Sequence, residues 1–182
     1  VVSHWGWQEP MKKYYGQPVL FGPTVPGLKE EVAEYHKHGL KIIPYLAYPA
    51  IPSDLPEMAT GMIEKYGDEW RLKPVSTTPW TYNAPEGYHF VNCCLRARSY
   101  GDYFAAGLAW AMDTFGFDGF YSDGVAHVYA CQNQAHGCGY LDDDGNLHST
   151  WAIFGVREAL KRMYRIVKSR QPDGYVVNHA SF

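Results

Sequence analysis

The chain contains the stretch Gly116-Phe117-Asp118-Gly119-Phe120-Tyr121-Ser122-Asp123-Gly124, which decides our prediction of its fold. A helical pattern stops at Gly116, a short apolar run follows, and this run ends on the carboxylate of Asp123. In enzymes built on a barrel of parallel strands and helices, the reactive groups lie at the carboxyl ends of the strands. The stretch therefore predicts Asp123 in a functional site; the alternative is that this residue only caps the next turn.

The segments on both sides of this stretch alternate between strand-like and helical patterns. The strand-like runs cover 1–7, 41–48, 90–95, 117–123 and 175–179, with a sixth, shorter one at 19–21. Three helical stripes lie between them, and the links from helix to strand are short, whereas the long loops follow strands. This asymmetry is typical of a (β/α) barrel.

The length of the chain limits how much of such a barrel it can form. A complete eight-stranded barrel needs about 250 residues, and this chain has 182 and starts and stops inside strand-like segments. We therefore predict one α/β domain over residues 1–182, a parallel TIM-type barrel present in part, with five to six strands. The predicted N-caps of its three helices are Thr24, Ser99 (with Asp102), and Ser149 or Thr150.

Composition and charge restrict the classes of partner. The net charge of −3 favours neither nucleic acid nor an anionic membrane, and no apolar run is long enough to predict a membrane span. Aromatic residues make up 16% of the chain, with 15 tyrosines and six tryptophans. Large core residues would explain this excess, but rings with polar groups also suit the faces of sugars, which favours a carbohydrate partner.

In a parallel sheet the strand ends bring distant residues to one face. We predict Asp123 and His179 as catalytic residues, because glycosidic cleavage needs a carboxylate and a second polar group. Arg96 is either a charge partner of Asp123 or part of a plain salt bridge, and His179 is either an acid/base or a structural histidine. The predicted substrate-binding residues are Trp5, Trp7, Tyr48, Arg96, Tyr121, His127 and Asn178.

The loop after Asp123 is rich in cysteine and histidine. Metal binding by His127, Cys131, His136 and Cys138 is one interpretation, but their spacing matches no paired-ligand pattern of zinc. Cys131 and Cys138 could equally form a disulfide in an oxidising compartment. An acidic run begins at Asp142, but its glycine comes too early for a calcium loop. The sequence therefore predicts no metal and no cofactor.

Several of these segments together resemble a known family. They are the strand motif 116–124, the loop Cys131-Gln132-Asn133-Gln134-Ala135-His136-Gly137-Cys138-Gly139-Tyr140, the helix around Gly155 to Tyr164, and Val177-Asn178-His179-Ala180-Ser181. Over about Ile42 to Phe182, the chain resembles large bacterial proteins related to glycoside hydrolase family 123. The resemblance implies a TIM-barrel catalytic domain that acts on glycans, further β-sandwich domains in the same polypeptide, and an extracellular or periplasmic location.

One position departs from the pattern of that family. Enzymes of family 123 use an adjacent Asp-Glu pair, and here Gly124 follows Asp123. We therefore expect a glycoside hydrolase in which Asp123 is the central carboxylate, and the role of a direct nucleophile suits this sequence at least as well as that of orienting an acetamido group. The alternatives are a catalytically inert carbohydrate-binding barrel and a metal-dependent enzyme that uses the loop of cysteines and histidines.

Overall fold

A computed structural model of the protein describes residues 1–8, 20–46, 50–52, 64–73, 90–124 and 128–179. Within them the strands are β1 (Val2–His4), β2 (Ile42–Leu46), β3 (Ala50–Pro52), β4 (Phe90–Asn92), β5 (Gly119–Asp123), β6 (Ala130–Cys131), β7 (Tyr140–Leu141), β8 (Leu147–His148), β9 (Thr150–Trp151) and β10 (Tyr175–His179). The helices are α1 (Leu28–Lys37), α2 (Glu64–Trp70), α3 (Arg98–Phe115) and α4 (Ile153–Arg170), with a 3-10 turn at Gln134–His136. None of these helices is both long and apolar enough to cross a membrane.

The centre of the fold is a four-stranded parallel sheet in the order β1-β2-β5-β10. Its register pairs Val2 with Ile42, Tyr45 with Tyr121, and His179 with Asp123. Parallel strands linked through helices confirm the α/β prediction, and the described residues form part of a barrel wall without closing it. All four strands were predicted from the sequence, including β2 with Pro44 inside it.

The predicted strand over 90–95 is wrong in its pairing. β4 lies outside the parallel sheet and pairs antiparallel with β3. The residues after β4 bond instead to the end of α2: Cys94 N–H donates to Trp70 O at 2.8 Å, and Leu72 N–H donates to Asn92 O at 2.8 Å. These bonds, together with the pairing with β3, occupy backbone groups that a parallel ladder would need.

The helix ends test the stop signal and the N-caps that were predicted from the sequence. Gly116 has φ 80°, and its N–H donates to Met112 O, so the predicted stop of α3 is confirmed. The predicted caps are wrong: none of α1, α3 and α4 has a side-chain cap. Ser99 instead donates to Glu69 at 2.6 Å and accepts from Trp70 Nε1 at 2.7 Å, because tertiary partners compete for its hydroxyl.

A buried carboxylate fastens the amino-terminal end of β5. Asp118 is only 1% exposed. Its Oδ2 accepts from Ile42 N–H at 2.9 Å and lies 2.7 Å from His36 Nε2, and Lys41 Nζ donates to its Oδ1 at 3.2 Å. Hydrogen bonds to Asp173 and then Asp118 raise the pKa of Lys41. Asp118 thus joins the end of α1 and the start of β2 to β5, which is a role in stability.

Candidate active site at the strand ends

The carboxyl end of β5 places Asp123 on the opposite face of the sheet from the buried side chains of its neighbours. Side chains alternate along a strand, so Tyr121 and Asp123 share one face, while Phe120 and Ser122 point the other way. Phe120 and Ser122 are fully buried, whereas 35% of the Asp123 side chain is exposed. A partly exposed carboxylate at a parallel strand end is available to a ligand.

Two neighbouring strands hold the Asp123 carboxylate from either side. Tyr45 on β2 donates its hydroxyl to Oδ2 at 2.8 Å. His179 on β10, directly paired with Asp123, places Nδ1 at 3.4 Å from Oδ1. The predicted catalytic pair, Asp123 and His179, is therefore brought together by the register of β5 and β10.

An aromatic wall stands beside this carboxylate. The Trp5 ring stacks on Tyr45 with centroids 4.0 Å apart and planes at 21°, and Tyr45 stacks on Tyr121 at 5.6 Å and 24°. Tyr121 also lies 6.1 Å from the His179 ring. Trp5 is 53% exposed, so one ring of the wall faces solvent, and this ring stacks on the tyrosine that donates to Asp123. A flat exposed ring next to a carboxylate is an arrangement that suits a sugar.

The electrostatics of the wall follow from this arrangement. Burial, and after it the negative charge of Asp123, raises the pKa of Tyr121. The phenol therefore stays protonated at neutral pH and can act as a hydrogen-bond donor beside the carboxylate.

Two of the predicted substrate-binding residues lie elsewhere. Trp7 is fully buried, and its Nε1–H donates to Tyr45 O at 3.0 Å, so it supports the wall from inside the core and has no surface for a substrate. Arg96 follows β4, which is outside the parallel sheet, so the reason for placing it beside Asp123 fails. Its Nε donates to His136 O at 3.2 Å.

Three predicted substrate-binding residues remain: one lies on the other face of the sheet, and two lie outside the described residues. Asn178 lies on β10 next to His179 in sequence, so its side chain points to the other side of the sheet from the Asp123 carboxylate. Tyr48 and His127 lie outside the described residues. Of the seven predicted substrate-binding residues, Trp5 and Tyr121 are the two that the described structure places beside Asp123.

Sequence reasoning missed Tyr45. This tyrosine lies within the nearly continuous apolar run of β2, and such a run gives no reason to single out one of its side chains as functional. The signal that could have found it is register: Tyr45 pairs with Tyr121, two residues before Asp123, so both rings point to the same face. The sequence pattern of a single strand does not reveal which residue of a neighbouring strand lies opposite each of its own residues.

A second group of chemically reactive side chains lies away from the sheet face. Cys94, Cys131, His136 and Cys138 bring their sulfur and nitrogen atoms within 4.8 Å of one another, and we call them the Cys3His cluster. Hydrogen bonds, chiefly the one with Cys94, outweigh the effect of burial and lower the pKa of Cys131 to about 3. The hydrogen bond with Cys131 and burial both raise the pKa of Cys94. None of the four cysteines of the chain forms a disulfide.

Comparison with known proteins shows that this chain is similar in fold to several solved structures. No protein family and no curated protein matches the sequence. The α-L-fucosidase isoenzyme 2 from Paenibacillus thiaminolyticus is 14% identical at a TM-score of 0.54, with 90% of this chain and 25% of that chain covered. The cycloalternan-forming enzyme from Listeria monocytogenes, in complex with a pentasaccharide substrate, is 13% identical at 0.55, with 85% and 14% covered. The α-amylase from Geobacillus thermoleovorans, complexed with acarbose, is 14% identical at 0.51, with 87% and 29% covered.

These neighbours are TIM-barrel glycosidases, and the parallel sheet with its helices is what they share with this chain. At such low identities the likeness concerns the fold. The chain spans between 14% and 29% of the length of these three structures. The fold is thus part of a (β/α) barrel of the kind on which these glycosidases are built, with a carboxylate and an aromatic wall at its strand ends.

Proposed function

We propose that this chain is part of the catalytic barrel of a glycoside hydrolase and that Asp123 is its nucleophile. The observation that carries the proposal is the position of Asp123 at a parallel strand end, held by Tyr45 and His179 and flanked by the exposed ring of Trp5. Barrel enzymes bear their chemistry at this end of the sheet. The fold of the neighbouring glycosidases supports the same reading.

The proposed reaction uses Asp123 as a charged carboxylate. Tyr45 O–H donates to it and so leaves it an acceptor, which suits attack on the anomeric carbon better than donation of a proton. Attack forms a glycosyl ester on Asp123 while the bond to the leaving oxygen breaks, a separate acid protonates that oxygen, and water then hydrolyses the ester. His179 orients the carboxylate, and Trp5 stacks on the sugar ring.

The resemblance to proteins related to glycoside hydrolase family 123 is part of this proposal. In that family the carboxylate before the acid orients the acetamido group of the substrate, which performs the attack. Gly124 takes the place of the acid in this chain, so we propose direct attack by Asp123 rather than attack by the substrate's own acetamido group.

The test uses a panel of dinitrophenyl glycosides, whose leaving group departs without protonation and so isolates the role of the nucleophile. We expect Asp123→Ala to lower kcat/KM by at least about a thousandfold. Azide, which can take the place of the lost carboxylate, should restore turnover and yield a glycosyl azide. The matched control is Asp143→Ala, an exposed acid on the loop between β7 and β8, which should keep full activity.

A second candidate function is an inert carbohydrate-binding barrel, which the missing Glu after Asp123 favours. It predicts that the wild-type protein cleaves none of the glycosides but still binds an oligosaccharide through Trp5. Activity that is unchanged by Asp123→Ala would contradict the nucleophile assignment, and binding without any turnover would replace the hydrolase by the inert barrel.

A further inference from the structure

We propose that Cys94, Cys131, His136 and Cys138 bind one structural zinc ion. The spacing of the loop cysteines alone predicted no metal, because one ligand, Cys94, lies far away in the sequence, after β4. The fold brings it to the other three. This proposal is independent of the glycosidase proposal, since the Cys3His cluster shares no residue with the site around Asp123.

The distances within the cluster fit a tetrahedral ion. Cys94 Sγ and Cys138 Sγ are 3.9 Å apart, and Cys131 Sγ and His136 Nε2 are 3.3 Å apart. Two sulfurs that each lie about 2.3 Å from a tetrahedral zinc stand about 3.8 Å apart, and a sulfur and an imidazole nitrogen stand slightly closer. These two pairs are thus spaced as in a tetrahedral site, and all four donor atoms lie within 4.8 Å of one another.

The backbone prepares His136 as a ligand. The Nδ1–H of His136 donates to the carbonyl oxygen of Glu69 near the end of α2. That bond fixes the tautomer in which Nε2 carries the lone pair, and Nε2 is the atom that faces Cys131. Metal-binding histidines are held in this way, with the other ring nitrogen bonded to a carbonyl or carboxylate.

The surroundings of the cluster are largely closed to solvent and hydrogen-bonded. Cys131 and Cys138 are fully buried and Cys94 is 2% exposed, so three of the four ligands are shielded from solvent. Asn133, itself 1% exposed, donates its backbone N–H to Cys131 Sγ and its side-chain amide to the carbonyls of Asp68 and Arg71. Four protein ligands in a closed shell define a structural zinc site, whereas a catalytic one keeps a position open.

The place of the cluster explains why an ion would be needed there. It lies where three segments meet: the end of α2, which accepts a hydrogen bond from His136 through Glu69 O, the residues after β4, and the loop around the 3-10 turn. The cysteines themselves form a small separate core with Ala152, and Leu72 packs against it. A core of this size contributes little hydrophobic stabilisation, and metals commonly substitute for it.

The first experiment measures metal in the protein purified without chelators. We expect about one zinc per chain and no comparable amount of iron, because three thiolates and an imidazole in a closed tetrahedron suit zinc. Cys94→Ser and His136→Asn should each lower the zinc content to background. The matched controls are Cys93→Ser, a buried neighbour that contacts Tyr100 instead, and His148→Asn on β8, and both should keep the ion.

A second measurement covers the case in which the ligand variants fail to fold. Cobalt(II) added to the metal-free wild-type protein should give the absorption of thiolate-to-metal charge transfer and of tetrahedral cobalt, and zinc should displace it. Chelation should lower the thermal midpoint by at least about 5 °C. Protein that holds no zinc and gives no such spectrum would overturn the proposal, as would equal loss of zinc in the Cys93→Ser control.

Discussion

The hydroxyl of Tyr45 donates a hydrogen bond of 2.8 Å to the carboxylate of Asp123 across the junction of β2 and β5. Tyr45 is itself paired with Tyr121, so the contact depends on the register of two strands separated by a long stretch of chain. A donor built into the sheet fixes the direction of the carboxylate before any ligand arrives. The orientation of Asp123 is thus a property of the fold and does not require a substrate.

Replacing Tyr45 by Phe tests this orientation. The variant keeps the ring that stacks on Trp5 and removes only the donor, so we expect kcat/KM for a dinitrophenyl glycoside to fall by about 10- to 100-fold. The free energy of unfolding should fall by no more than about 1.5 kcal/mol. Kinetics and urea unfolding of the same samples measure both. Tyr140→Phe, on an exposed ring of β7, is the control, and an equal loss of activity there would contradict the assignment.

Trp5 and Trp7 should respond in opposite ways to substitution by Ala. Trp5 is 53% exposed and its ring faces the site, so Trp5→Ala should weaken oligosaccharide binding by about tenfold at little cost in stability. Trp7 is fully buried, so Trp7→Ala should cost about 3–5 kcal/mol of the free energy of unfolding. Titration calorimetry and urea unfolding separate the two effects. Strong destabilisation by Trp5→Ala would show that its ring belongs to the core.

Gly119 should tolerate no side chain. It opens β5 with φ 146°, and a Cβ there would lie 1.9 Å from the backbone oxygen of Tyr175 on β10. We expect Gly119→Ala to lose more than about 3 kcal/mol, because backbone atoms of a paired strand cannot move aside. Gly145→Ala is the matched control: φ is +82° with no neighbour within 4 Å, so only about 1 kcal/mol should be lost. Equal effects in thermal unfolding would contradict the steric explanation.

The ion pair between Asp113 and Arg170 should make stability depend on pH. The guanidinium donates to both carboxylate oxygens, at 2.6 and 2.8 Å, and lowers the pKa of Asp113. A lowered folded-state pKa stabilises the protein above the unfolded value of about 3.9 and loses that contribution as pH falls through the folded value. Because 58% of the Asp113 side chain is exposed, the contribution should stay below about 1 kcal/mol.

The comparison that checks this is urea unfolding of Asp113→Asn against wild type. The variant should be less stable at pH 7, and the difference should shrink toward zero below about pH 4. Added salt should reduce the difference at pH 7 as well, since the pair is near the surface. A difference that is constant with pH would assign the loss to packing instead of charge.

The sequence allowed prediction of those features that depend on local patterns. The alternation of strands and helices, the stop of α3 at Gly116 and the position of Asp123 at a strand end all follow from periodicity and from glycine. The sequence also indicated that Asp123 and His179 would meet, because parallel strand ends converge on one edge.

Features that depend on pairing between distant segments could not be predicted in this way. β4 pairs with β3 instead of joining the sheet, which removed the reason for placing Arg96 beside Asp123. Tyr45 reaches Asp123 through strand register, and Cys94 reaches the loop cysteines through the contact of its segment with α2. Each of these contacts is set by the backbone partners of two segments, which neither segment specifies alone.

The buried anchor at Asp118 has a consequence for how this protein can evolve. Asp118 and Asp123 belong to one short stretch, yet they lie about 16 Å apart along the strand direction. The first secures the sheet through Ile42 and Lys41, and the second faces the open end. We therefore expect substitutions among the strand-end rings to leave the protein folded. Libraries that vary Trp5 and Tyr121 should yield a high fraction of well-folded, expressible variants.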